Sequence, residues 1–211
     1  MPADRLHLVR HGEVHNPGGV LYGRLPHFHL SERGVEMAKT AADTIRGLNR
    51  PVSKLVSSPL LRTQQSSEPI ADGLGLEIIT DERLIEPYNV FEGRKLSARH
   101  IAVRPHLYLH LRNPNTPSWG ESYESIVSRM YAAMDELADE VESGDVVLVT
   151  HQLPIWMIHQ HAAGLKLAHN PKQRRCGLSS ITSFEKRDGK WVEVSYLDPA
   201  AEAGARDKGA V

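Results

Sequence analysis

The chain of 211 residues contains a single cysteine, Cys176. One thiol builds neither an intrachain disulfide framework nor a Cys-rich zinc module, and it fits a reducing compartment. Long hydrophobic runs are missing too: none approaches the roughly 20 residues of a membrane span. The start, Met1-Pro2-Ala3-Asp4-Arg5, leads straight into a short apolar strand with no secretory signal. Neither charge sign dominates, since 25 Lys plus Arg against 26 Asp plus Glu leave a formal net charge of −1. That balance argues against a nucleic-acid coat and against a polybasic membrane binder. The Gly-x-x-x-x-Gly-Lys-Ser/Thr phosphate loop, Gly-x-Gly-x-x-Gly, Cys-x-x-Cys and Gly-x-Ser-x-Gly are all absent, which removes the usual signals of nucleotide kinases, dinucleotide enzymes and serine hydrolases. The expectation is a cytoplasmic globular protein with no nucleic-acid and no membrane partner.

What is present reads as one ordinary domain, with 40% hydrophobic and 24% charged residues. Strands are expected at 6–9, 52–56, 77–79 and 146–149. A further pair at 181–184 and 191–196 flanks Asp188-Gly189, a hairpin signal. Helical spacing follows the N-cap candidate Ser31 up to Gly47, recurs from about 60 to 74, and is strongest from Glu121 to Val141, where Tyr123, Ile126, Val127, Met130, Met134, Leu137 and Val141 form one stripe. A helix near 97–112 would be divided at Pro105, and another should run from about Pro154 to Gly164. Strands alternating with helices imply an α/β three-layer sandwich, with a mostly parallel central sheet flanked by helices and the C-terminal hairpin on the sheet. In such sheets, ligands gather beyond the carboxyl ends of the strands. His11 and His151 each follow an apolar strand, and Arg62 lies just past another, so residues distant in sequence can meet in one crevice.

Arg10-His11-Gly12-Glu13 suits attack on a phosphomonoester. Neutral imidazole is a competent nucleophile, guanidinium matches phosphate oxygens in a fork, and Gly12 would let the backbone approach a ligand. Taken alone, His11 reads better as a satisfied histidine at a surface strand end. The tetrapeptide resembles the signature of the histidine phosphatase superfamily, the phosphoglycerate-mutase-like proteins. Further resemblances follow in order: Ser57-Ser58-Pro59-Leu60-Leu61-Arg62-Thr63-Gln64 to the Ser-Pro-x-x-Arg-x-x-Gln block, Leu84-Ile85-Glu86 to the segment bearing the acid, Gly120-Glu121-Ser122 to the turn before a long helix, and Val147-Leu148-Val149-Thr150-His151 to the strand ending in the second histidine.

The resemblance implies a metal-free, cofactor-free phosphohistidine mechanism. His11 would carry the phosphoryl group, Arg10, Arg62 and His151 would hold its oxygens, and Glu86 would protonate the leaving oxygen. Burial would raise the Glu86 pKa and the arginines would lower it; the sequence leaves the balance open. Two departures and one further correspondence stand out. Asn16, a phosphate-binding candidate, comes five residues after His11 where relatives commonly place it six after; Gln152 stands where a glycine is usual; and Tyr22, Gly23 and Arg24 lie where relatives contact substrate. His27-x-His29, His106 with His110, and His159-x-His161 could pair on a metal, but none matches a zinc pattern, so no metal site is expected. Cys176 beside Arg174-Arg175 reads as an inert thiol.

From Gly93 to Gly120 there is no Asp or Glu, while Arg94, Lys95, Arg99, Arg104 and Arg112 are present. As a cap over the pocket, the stretch would select anionic substrates through Arg94 and Arg99; as a subunit contact, it leaves a homo-oligomer open. The domain expectation is therefore residues 1–198, with about 87–120 as a cap-like insertion, and a flexible tail from 199 to 211. The expected function is phosphatase action on a small anionic phosphomonoester, a phosphorylated metabolite. The alternatives are a phosphoglycerate mutase using the same site and a non-catalytic phospho-ligand or protein-binding module.

Overall fold

The computed structural model describes residues 3–95 and 120–204. In chain order these form β1 (Arg5–Arg10), α1 (Glu32–Gly47), β2 (Val52–Ser57), α2 (Leu61–Leu74), β3 (Ile78–Thr80), a 3-10 turn (Glu82–Leu84), α3 (Tyr123–Asp139), β4 (Asp145–Thr150), α4 (Gln152–Ala162), β5 (Ile181–Arg187) and β6 (Lys190–Leu197). The strands make one six-stranded sheet in the order β3-β2-β4-β1-β5-β6. β1, β2, β3 and β4 run parallel, and β5 and β6 join antiparallel through the pairing of β1 with β5. Asp188 and Gly189 both take positive φ, 50° and 74°, as a two-residue hairpin turn requires.

Alternation along the strands builds two cores. Leu6, Leu8, Val56, Val146 and Leu148 face one side, packing with Ile126, Met130 and Met134 of α3 and with Ile155 and Ile158 of α4. Val9, Leu55, Val147, Val149 and Ile181 face the other, packing with Ala41, Ala42 and Ile45 of α1 and Ile70 of α2. β4 is buried along its whole length, because it is central and covered on both faces. Each large apolar side chain buried this way contributes about 1.5–3 kcal/mol. At the sheet's opposite end, Asp145 accepts a fork from Arg50 (2.6 and 2.9 Å) and pairs with His7 (3.0 Å), tying β4 to β1 and to the entry of β2.

Some expectations change. α4 begins at Gln152 rather than near Pro154, because a proline within the first turn forfeits no intrahelical hydrogen bond. The tail is not loose from its first residue: Ala200 is buried with Met37 and Leu178, Ala201–Ala203 form a 3-10 turn, and Arg33 donates to the Gly204 carbonyl. The expected helix at 97–112 and residues 205–211 lie outside the described residues. Among the described residues, no helix is long and apolar enough to cross a membrane.

Candidate active site

β4 lies between β1 and β2, so three adjacent parallel strands end side by side. Their carboxyl ends deliver His11 after Arg10, Ser58 after Ser57, and His151 after Thr150. The His11 ring lies edge-on to His151, with centroids 5.3 Å apart. Its main chain is fixed on both sides, since its N–H donates to the Thr150 carbonyl (3.2 Å) and its carbonyl accepts from Ser179 (3.2 Å). His11 Nδ1 is 2.8 Å from the Gly12 carbonyl oxygen. A carbonyl only accepts, so Nδ1 carries the proton and Nε2 keeps its lone pair. Burial, then the charges of Arg62 and Arg10, hold the His11 pKa well below the usual histidine range. The imidazole is therefore neutral and can act as a nucleophile.

The sequence suggested that Gly12 makes room for a ligand; the structure corrects this. A Cβ at Gly12 would stand 2.4 Å from the Gly34 carbonyl oxygen, so the missing side chain lets α1 pack against this loop. The Gly12 N–H is occupied by Ser66 Oγ at 3.1 Å.

Arg62 is fully buried on α2. Its Nη2 donates to the Gly23 carbonyl (2.8 Å) and to His151 Nδ1 (3.2 Å), and its guanidinium lies 4.8 Å from the Tyr22 ring centroid. Because a guanidinium only donates, His151 Nδ1 must accept, and His151 Nε2–H then donates to Ser58 Oγ at 2.8 Å. Burial, followed by the charge of Arg62, places the His151 pKa well below the usual range. His151 thus presents a lone pair, and the positive field comes from guanidiniums. Arg10 is buried beside them, its Nη1 donating to the Cys176 carbonyl at 2.7 Å.

Glu86 Oε2 stands 3.4 Å from His151 Nδ1. Burial raises the Glu86 pKa against the opposing charges of Arg62, Arg10, Arg174 and Arg129, so the balance left open by sequence falls on the side of burial. Arg62 Nε, Arg62 Nη1 and Glu86 Oε1 are buried with no hydrogen-bond partner among the described residues. An unsatisfied buried polar atom costs about 1–3 kcal/mol. Atoms of this kind gathered in one place mark a site prepared for a polar ligand.

The remaining candidates separate. Gln152 opens α4 with ordinary helical backbone, so replacing the usual glycine demands no positive φ. Its side-chain oxygen accepts from Arg174 Nη1 at 3.1 Å. Gly23 has φ +37°, and its carbonyl meets Arg62. Arg24, expected at the substrate, instead directs Nε to the Glu86 main-chain carbonyl (2.5 Å) and Nη2 toward Glu121 (3.4 Å). Asn16, expected on phosphate, clasps Val20 with both ends of its amide, at 2.8 and 3.2 Å, and so shapes its own loop. Arg94 is exposed, its carbonyl accepting from Leu21; Arg99 lies outside the described residues.

Sequence reasoning missed Arg174 as a site residue. It donates to His169 Nε2 (2.8 Å) and Gln152, and interacts electrostatically with Glu86 and Arg10. Only the adjacency of Arg174, Arg175 and Cys176 could have hinted at it. Among the described residues, no group of three His, Cys, Asp or Glu is placed to hold a metal; His29 stacks on His15 (5.2 Å) and His159 bonds Glu193 (2.5 Å). A surface cleft of about 760 Å³ beside Glu13, Asn16 and Arg33 contains none of His11, Arg62, Glu86 or His151. Chemistry, rather than cavity volume, locates the site.

The family model described as histidine phosphatase superfamily (branch 1) matches residues 6–199. The uncharacterized protein Rv0525 of Mycobacterium tuberculosis is 44% identical over 203 residues, covering 95% of this chain and 100% of that protein. A probable phosphoglycerate mutase, GpmB, of Yersinia pestis is 28% identical over 202 residues, covering 93% of this chain and 92% of its own. A crystal structure of a mutant phosphoserine phosphatase from Entamoeba histolytica, in complex with phosphoserine, superposes with a TM-score of 0.74 at 23% identity, covering 92% of this chain and 97% of the other. At that identity the likeness shows the fold.

Proposed function

The chain belongs to the histidine phosphatase superfamily, and from that premise we propose that it hydrolyses small anionic phosphomonoesters through a phosphohistidine on His11, in the cytosol and without a metal. The observation that carries this reading is the tautomer of His11. With Nδ1–H held on the Gly12 carbonyl, the lone pair of Nε2 is free to attack. The N–P bond forms as the ester P–O bond breaks, and Glu86, biased toward its protonated form, passes its proton to the leaving oxygen. Glu86 carboxylate then takes a proton from water, whose oxygen attacks phosphorus, so that phosphate leaves and His11 and Glu86 return to their starting states. Arg10 and Arg62 neutralise charge on the non-bridging oxygens, which is most of what phosphoryl transfer asks of a protein.

The anionic character of the substrate follows from charge. Arg62, Arg10, Arg174 and Arg129 all act on Glu86, a single carboxylate whose pKa burial raises. A phosphate group brought beside them enters a positive field, which favours an anionic substrate. This support comes from the arginines around Glu86 rather than from the segment containing Arg94 and Arg99.

The test is release of inorganic phosphate from a panel of phosphorylated metabolites, with His11→Ala as control. Wild type should release phosphate and take up an acid-labile label, and His11→Ala should do neither while remaining folded. Labelled His11→Ala would overturn the assignment. Including 3-phosphoglycerate with and without its bisphosphate distinguishes water from a second substrate hydroxyl as acceptor. Absence of turnover on every ester would favour a binding module.

A further inference from the structure

Gly120-Glu121-Ser122 stands out in the sequence, yet the chemistry above does not use Glu121. Ser122 caps α3, its hydroxyl accepting from Ser125 N–H at 3.1 Å. Glu121 faces elsewhere. Its carboxylate takes a fork from Arg129, Nε to Oε1 at 2.9 Å and Nη2 to Oε2 at 3.0 Å, accepts from Ser125 Oγ at 2.9 Å, and draws Arg24 Nη2 to 3.4 Å.

Both arginines reach onward to the chain that bears Glu86. That chain belongs to no strand; it runs from the turn Glu82–Leu84 to an isolated bridge between Asn89 and Gly120. It is pinned at three carbonyls: Leu84 by Thr150 Oγ1 (2.6 Å), Arg83 by Arg129 Nη1 (2.5 Å) and Glu86 itself by Arg24 Nε (2.5 Å). Two of those three donors are guanidiniums anchored on Glu121. Without a carboxylate between them, their like charges would push them apart and release the carbonyls.

Resting on the reading of Glu86 as general acid, we propose that Glu121 is a positioning residue for Glu86, holding Arg24 and Arg129 so that they clamp the acid's main chain from both sides. A second effect has the same origin. Arg129 lowers the Glu86 pKa through space, as do Arg62 from α2, Arg10 from β1 and Arg174 from the loop before β5, while His151 at the end of β4 faces the carboxyl directly. Glu121 compensates the charge of Arg129 and so helps Glu86 keep its proton. Burial works against ionisation of Glu121, but the hydrogen bond and charge of Arg129, with Ser125 and Arg24, hold its pKa below the usual carboxylate range.

The experiment compares Glu121→Gln with wild type on phenyl phosphate, a poor leaving group, and on p-nitrophenyl phosphate, a good one. A misplaced acid should cost on the order of 10- to 100-fold in kcat on phenyl phosphate, but only about threefold or less on p-nitrophenyl phosphate, where little protonation is needed. KM and vanadate inhibition should hold, and the alkaline limb of kcat should move to lower pH. Glu86→Gln combined with Glu121→Gln should be no slower than Glu86→Gln alone, since both act through one group. Glu136→Gln, which removes an exposed partner of Arg83, should change none of these readouts. Equal losses on both esters, or additive losses in the double variant, would overturn the proposal. Arg24→Ala carries the same readouts if Glu121→Gln does not fold. Should wild type turn over no ester, which would sink the phosphatase reading, a ¹³C-carboxyl NMR titration of Glu86 still decides. A lower pKa in Glu121→Gln supports the clamp, and an unchanged one refutes it.

Discussion

Replacing Arg62 with methionine separates what the site is built for from what holds the protein together. Arg62 is the largest positive influence lowering the pKa of His11, of His151 and of Glu86. Its Nε and Nη1 are buried without partners, and Nη2 serves Gly23 and His151. Removing a preorganised donor to the transferring group costs about 2.7–4 kcal/mol, so kcat/KM should fall by about 10²- to 10³-fold. Stability should behave differently. The Gly23 carbonyl and His151 Nδ1 lose their shared donor, at about 1–3 kcal/mol each, but two unsatisfied nitrogens of similar cost, Nε and Nη1, disappear with it. Methionine refills much of the volume, so the net change in folding free energy should lie within about 1 kcal/mol. The pH profile should shift as well. With Arg62 gone, Glu86 retains its proton to higher pH and His11 accepts one at higher pH, so both limbs of the kcat/KM profile should move upward. Urea denaturation, vanadate inhibition and pH-dependent hydrolysis of p-nitrophenyl phosphate measure these three consequences. Vanadate affinity and kcat/KM within about threefold of wild type would remove Arg62 from the phosphate site. A loss of stability beyond about 3 kcal/mol would make it a structural pillar instead.

Glu86→Gln should slow phenyl phosphate far more than p-nitrophenyl phosphate and abolish the alkaline limb, because activity on poor leaving groups is lost as pH rises through the Glu86 pKa; stopped assays across pH check this. Binding of phosphate or vanadate should be accompanied by proton uptake at neutral pH, since His151 is neutral in the free protein and an adjacent dianion raises its pKa; calorimetry in buffers of different ionisation enthalpy reads the proton count. Arg174→Gln should raise KM for the best-hydrolysed metabolite that carries a second anionic group by about tenfold while leaving p-nitrophenyl phosphate within about twofold, measured by initial rates. Asp145→Asn should destabilise the fold by about 2–4 kcal/mol, at the lower end because Arg50 is partly exposed. The folded Asp145 pKa is depressed, so wild type should exceed the variant most above the ordinary carboxylate range, and the gap should close as pH falls through the lowered value; urea titrations at several pH values show it.

The sequence by itself determined the architecture and which polar residues follow the strands' carboxyl ends. The continuous apolar run Val146–Val149, suited to a strand covered on both faces, and helical spacing from Tyr123 to Leu137 dictate which surfaces are apolar, and their burial permits few arrangements. His11, Arg62 and His151 were legible because each sits just beyond a strand, and parallel strands present their carboxyl ends together. Only the tertiary structure decided what those groups are bonded to. The tautomer of His11 depends on the carbonyl of its own neighbour, and that of His151 on Ser58 and Arg62, 93 and 89 residues away in sequence. Whether Glu86 holds its proton depends on burial set against arginines from four separate parts of the chain, a balance no local pattern encodes. Gly12 and Arg24 were assigned to ligand, yet the fold uses one for a backbone crossing at Gly34 and the other for a hydrogen bond at Glu86. Arg174 was invisible because its loop has no periodicity, and its role comes from packing near Glu86 and Arg10. Local spacing is a property of the chain, whereas electrostatic balance and hydrogen-bond pairing are properties of groups that meet only after folding.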